Sequence, residues 1–198
     1  MALGPMDAER FWELIELARA EAGPIGDDID DRLADSLIEL LARLPLDDIV
    51  AFELRFSELQ GRFFDREDVY AAAFLVQHGC GDDSFSDFRA AMVGLGRHWY
   101  KRVLADPDHL ALHPAVQGIA AGTIDESALF MERFQYAATH AYKRVTGDDS
   151  GMYHALASAE QDELEDEADD VDNEPRLLPR LAELFPAAQA SYARFYLD

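Results

Sequence analysis

The feature that most restricts this chain is its apolar rhythm: from Asp7 to Val145 large hydrophobic residues recur three and four apart, and no stretch keeps a strand-like alternation. Only a helix buries such a pattern on one side, so the sequence predicts an all-α fold. A first helix over about Asp7 to Ala22 turns Phe11, Leu14, Ile15 and Ala18 inward and is stopped by Gly23-Pro24. A second follows Asp27 to Asp31, whose carboxylates suit the positive end of a helix, and buries Leu33, Leu37, Leu40, Leu41 and Leu44. A third carries Ile49, Phe52, Phe56, Leu59 and Phe63. Asp65 reads as the N-cap of a fourth, with Asp68 at the capping-box position, and Ser84 with Asp87 repeats the device for a fifth. This fifth helix is expected to run unbroken through Gly94 and Gly96 to Val103, at the centre of the fold, burying Phe85, Phe88, Met92, Leu95 and Trp99. Each of its glycines costs about 1 kcal/mol relative to alanine, which implies close backbone packing, a kink or a ligand. A short helix near Ala115 to Ala121, a long one from Asp125 to Val145 and a docking helix over about Leu177 to Phe185 bring the expected number to seven or eight.

A chain of 198 residues suits one domain. The expected divisions are a helical core over 6–158, an acidic linker over 159–174 and a C-terminal helical segment, 175–198, that docks on the core. Residues 1–5 carry no helical pattern and are left out of the fold. The linker assignment rests on ten acids between Glu160 and Glu174, unaccompanied by Lys or Arg and with too few apolar residues to pack. Formal charge is −23, from 40 acidic residues against 17 Lys and Arg, a balance that repels phosphate backbones and anionic lipid. Nucleic acid and membrane are therefore not expected partners. The longest apolar run, Tyr70 to Val76, is far below the roughly 20 residues that cross a bilayer. No secretory pattern opens the chain, and a cytoplasmic protein is expected. The lone cysteine, Cys80, excludes an internal disulfide and a Cys-rich zinc site.

Candidate chemistry concentrates between Gly79 and Tyr100, GCGDDSFSDFRAAMVGLGRHWY. GCGDDS and GLGRHW begin like nucleotide-binding loops but lack the third glycine, the preceding strand and a Gly-Lys-Ser. Asp82, Asp83 and Asp87 resemble, over six residues, the magnesium-binding aspartates of class I terpene synthases, yet no second metal motif accompanies them. A helix cap accounts for them more simply, and no metal site is assigned. His109 and His113 stand four apart, as zinc ligands on a helix can, but Leu110 takes the place of the glutamate that such enzymes use. Arg89 borders the phenylalanine row, where a buried guanidinium needs a carboxylate; the expected partner is Asp82 or Asp83, or an acid from another helix. Gly96 leaves space further along, and Arg97 and Trp99 complete the candidate cluster of Asp82, Asp83, Asp87, Arg89, Gly96, Arg97 and Trp99. Two basic groups interrupt the acidity, one made of Arg97, His98, Lys101 and Arg102, the other of His140, Lys143 and Arg144. The first is placed to pair with the acidic tract.

FWELI at Phe11 to Ile15, GCGDDSFSDFR at Gly79 to Arg89, GR at Gly96 to Arg97, DPDHLA at Asp106 to Ala111, AYKRVTG at Ala141 to Gly147 and PRLAELF at Pro179 to Phe185 together resemble an uncharacterised, largely actinobacterial domain family without assigned activity. In that family a tryptophan often follows the DFR and leads into an aliphatic pair, where this chain has Ala90, Ala91 and Met92. The resemblance implies one helical domain and a central place for the segment around Asp83 and Arg89. It implies no reaction.

No nucleophile-base pair, phosphate loop or complete metal set is assembled by the sequence, and no cofactor is implied. The expected function is a binding or regulatory module whose partner is a protein or a small molecule, with Tyr192, Phe195 and Tyr196 as a candidate contact patch. One alternative is a metal- or anion-dependent enzyme built on Asp82, Asp83, Asp87, Arg89 and Arg97. Another is an acidic mimic of nucleic acid.

Overall fold

The computed structural model describes residues 6–159 and 177–196. Among them are twelve α-helices, two 3-10 turns and no strand. α1 (Ala8–Ala22) opens at Asp7, whose carboxylate accepts the Arg10 amide at 2.8 Å, and closes at Gly23, where φ is 77°. α2 (Ile29–Leu41) folds back along α1. Arg32 clamps the bend by donating to the Pro24 carbonyl at 2.9 Å and to the Ala22 carbonyl. There follow α3 (Leu46–Gly61), α4 (Glu67–Val76), α5 (Asp82–Gly94) and α6 (Arg97–Ala105), a 3-10 turn at Pro107–Leu112, and α7 (Pro114–Ala120). A second 3-10 turn at Glu126–Leu129 leads into α8 (Glu132–Gln135), α9 (Ala137–Thr146) and α10 (Gly151–Ser158). α11 (Pro179–Leu184) and α12 (Pro186–Tyr196) close the described chain.

A chain of rings joins these elements. Phe11 of α1 stacks on Phe52 of α3 at 4.7 Å between centroids, and Phe56, one turn on, meets Phe134 of α8 edge-on at 5.6 Å. A branch leads from Trp12 through Tyr100 of α6, at 5.1 Å, to Phe63, at 5.2 Å. Such pairs add about 0.5–1.5 kcal/mol each beyond the area they bury. The Tyr100 hydroxyl, which burial would otherwise strand, donates to the Leu59 carbonyl at 2.9 Å.

The expected central helix is two helices. α5 ends at Gly94 and α6 begins after Gly96, whose φ of 87° is a left-handed value that breaks the helical path. The two glycines have separate uses. A Cβ at Gly94 would lie 2.6 Å from Met131 Sδ and 3.3 Å from Leu33 and Phe134, so its hydrogen is what lets α5 approach α2 and α8. At Gly96 the backbone turn itself is the requirement.

The expected helix from Asp125 to Val145 is likewise divided, because Asp30 on α2 reaches across and accepts the backbone N–H of Arg133 at 2.9 Å and of Phe134 at 2.8 Å. A side chain distant in sequence thus caps α8 from outside. α4 begins later than expected. Asp68, rather than capping for Asp65, forms a buried fork with Arg66, Nε to Oδ1 at 2.9 Å and Nη2 to Oδ2 at 2.8 Å, and Arg66 also reaches the Leu104 carbonyl at 3.1 Å. α5 begins three residues early, after Gly81, and Ser84 Oγ accepts the Gly81 amide at 2.8 Å from within its first turn.

The C-terminal helices lie over α4 and the first 3-10 turn. Asp108 of that turn, 3% exposed, accepts the amides of Leu181 at 2.9 Å and Arg180 at 3.1 Å, capping α11. Leu181, Phe185 and Ala188 are buried beneath, Phe185 edge-on to His78 at 5.7 Å, and Tyr192 packs edge-on against Phe74 at 5.3 Å. The linker tract lies outside the described residues, as do the side chains of Phe195 and Tyr196. No helix among the described residues is long and apolar enough to cross a membrane.

Candidate functional site

The seven residues singled out by the sequence do not share one place. Asp82 and Asp83 are exposed on the first turn of α5. Gly96 and Arg97 lie beyond its other end, about 20 Å away at 1.5 Å per residue. There Arg97 pairs with Glu9 of α1 at 2.5 Å, and its backbone N–H donates to Glu16 Oε1 at 3.1 Å. Asp87 sits midway along α5, where burial, and then Glu132, Asp30 and Asp83, raise its pKa to about 6. Among the described residues no three His, Cys, Asp or Glu side chains gather as a metal would require.

Arg89 corrects the expectation of a carboxylate partner. Its guanidinium lies 5.0 Å from the Phe64 ring centroid and 5.3 Å from that of Phe85, and it forms no ion pair among the described residues. Its Nε is buried without a hydrogen bond, and desolvation lowers its pKa. A guanidinium is weakly hydrated and flat, so two aromatic faces replace the missing acid. Phe64 is still 62% exposed, so the stack covers only part of its ring.

Trp99 leads to a different site. It forms one wall of a partly enclosed cavity of about 380 Å³ between α1, α2, α6 and α7. Ile25, Ile29, Leu33, Ile124 and Met131 make the apolar lining, Gly94 lines it where α5 approaches α2, and Arg19 and His113 bring the polar groups. His113 is positioned as the residue preceding α7: its Nδ1 accepts the Ala115 amide at 3.1 Å, so the ring proton belongs on Nε2. Trp99 stands edge-on to this imidazole, centroids 4.7 Å apart. Burial, and then the charge of Arg19, push the His113 pKa down to about 4, which leaves the ring neutral at pH 7. Arg19 Nη1 is steadied by Glu16 Oε2 at 2.5 Å, and the missing side chain of Gly96 makes room for that pair.

The arrangement offers two N–H donors, one cationic and one neutral, at the rim of an apolar hollow. With Nδ1 already accepting and the pKa depressed, His113 is a poor base and a serviceable donor. His109, four residues before it, is turned elsewhere, its Nδ1 3.3 Å from the Arg102 carbonyl. Sequence reasoning missed Arg19 and His113 as cavity residues, since one is an ordinary last-turn cation and the other an ordinary cap. The available signal was the glycines at 94 and 96, which implied space without saying what borders it.

No curated protein and no solved structure matches the chain. Every residue that lines the cavity falls between Arg19 and Met131, well inside residues 6–144, whereas the PRLAELF segment that docks on Asp108 lies beyond them. Residues 6–144 match the family model described as protein of unknown function (DUF4240), and the chain belongs to that family.

Proposed function

We propose that the protein is a binding module that takes a small molecule into the cavity between α1, α2, α6 and α7. The ligand class that suits the lining has an apolar body and a carboxylate or carbonyl oxygen. The observation that carries this reading is the pairing of Arg19 and neutral His113 with an otherwise apolar hollow of about 380 Å³, a size within the usual range for such pockets. The oxygen would accept from Arg19 and from His113 Nε2, while Trp99 and the aliphatic residues hold the body.

The test is a panel of aliphatic and aromatic carboxylic acids and their amides, read by thermal shift and by Trp99 fluorescence in a Trp12→Phe background. At least one carboxylate is expected to raise Tm by several degrees. Arg19→Met should weaken that ligand about tenfold or more, since a hydrogen bond to a charged group contributes about 1.5–3 kcal/mol. A panel without effect, or equal affinity in Arg19→Met, would remove this assignment.

A further inference from the structure

Away from the cavity, the outer face of α6 carries an open groove of about 630 Å³ bordered by Glu16, Arg97, His98, Lys101, Arg102 and His109. Its charge is opposite to that of the molecule. A chain with a formal charge of −23 and only 17 Lys and Arg brings three of them, with two histidines, to one shallow surface. Helical spacing sets Arg97 beside Lys101 and His98 beside Arg102, and the 3-10 turn adds His109. Arg102 is fixed over the Trp99 ring at 4.7 Å, so part of the surface is preorganised.

We propose that the acidic stretch Glu160 to Glu174 of this same chain docks in this groove. Three observations carry the assignment. The stretch has ten acids and no Lys or Arg, the complement of the groove. The chain rejoins the described structure beside it: the Arg180 and Leu181 amides are held by Asp108, and the next residue, His109, borders the groove. The tether is long: residues 160–176 can span up to about 56 Å at 3.3 Å per residue between Ala159 and Leu177.

Tethering decides the energetics. An exposed ion pair contributes only about 0–1 kcal/mol, but a segment attached at both ends meets the groove at an effective concentration on the order of millimolar. Several weak pairs then suffice, and the association is sensitive to salt, as the screening length falls from about 10 Å at 0.1 M to about 3 Å at 1 M.

A nitroxide placed by Ala168→Cys, with Cys80→Ser to leave one thiol, tests this in the full chain without removing an acid. Paramagnetic broadening is expected on the amides of residues 97–105 and on His109, reducing their intensities by about half or more at low salt and recovering near 1 M NaCl. Lys101→Glu should abolish it, and the salt series keeps the test valid if that variant folds poorly. Broadening spread evenly over the surface, centred on another face, or indifferent to salt would overturn the proposal. So would broadening that arises only between a labelled chain and a separate isotopically enriched one, which would assign the groove to a second copy.

Discussion

Arg89 and Asp87 lie on one helix, two residues apart, and neither has an ionic partner among the described residues to offset its burial. For Arg89 two phenyl rings compensate. For Asp87 the neighbours are themselves acids, Glu132, Asp30 and Asp83, so the carboxylate is destabilised twice. Its pKa near 6 in the folded protein lies above the ordinary value of 3.8, so the folded state binds a proton where the unfolded chain does not. Between about pH 4 and 6 this residue's contribution to stability therefore falls as pH rises, and above 6 the penalty is complete. Asp87→Asn is expected to stabilise the protein at pH 8 by about 1 kcal/mol, a figure discounted for its partial exposure, with the advantage over wild type gone near pH 4. Chemical denaturation of both proteins across that range checks it. His113 works in the opposite sense: its folded pKa of about 4 lies below 6.5, so its contribution to stability is lost as pH falls through that window. The comparison of Asp87→Asn with wild type cancels this term.

At the scale of elements, the helical class was legible because spacing of three and four is local information. The breaks were not, because their causes are distant. Asp30 divides the expected Asp125 to Val145 helix from 103 and 104 residues away, and no window of sequence around Arg133 contains that fact. Gly94 and Gly96 were visible as a conflict with helix propensity, but their separate roles depend on Met131 and Arg19. These roles predict different outcomes. Gly94→Ala forces a methyl against Met131 Sδ and Leu33, both of which line the cavity, so it should cost about 1–3 kcal/mol by overpacking and weaken carboxylates and their amides alike. Gly96→Ala strains a left-handed turn and displaces Arg19 and Glu16, so it should cost about 1–2 kcal/mol and also weaken any carboxylate that the cavity binds. Denaturation midpoints and titrations together separate the two. Asp30→Ala strips two amides of their acceptor at once and should lower stability by about 1–2 kcal/mol, with amide exchange fastest in α8.

Across the whole molecule, the aspartates of DPDHLA have the most far-reaching effect. Asp106 caps its own turn through the Asp108 amide at 3.1 Å, while Asp108 caps a helix 73 residues later. The sequence displayed the motif without its target, since nothing local tells a carboxylate which helix it will meet. Asp108→Ala should release α11 and α12 in hydrogen exchange, raising their rates about tenfold or more, while the ring chain from Phe11 to Phe134 stays protected. The site was legible only at Trp99 and in the space implied by Gly94 and Gly96, because a cavity is made by residues from five helices and its walls are defined only after they pack.

The seat of α11 and α12 also bears on how the protein can be cut. The family's limit at residue 144 looks like a natural place to trim, but Phe74, 8% exposed in the intact chain, lies under Tyr192, and the Asp108 carboxylate would lose both of its amide donors. A shortened version ending there would bare an oily seam with a stranded anion at its edge. Light scattering should find it clumping at concentrations where the intact chain stays dispersed.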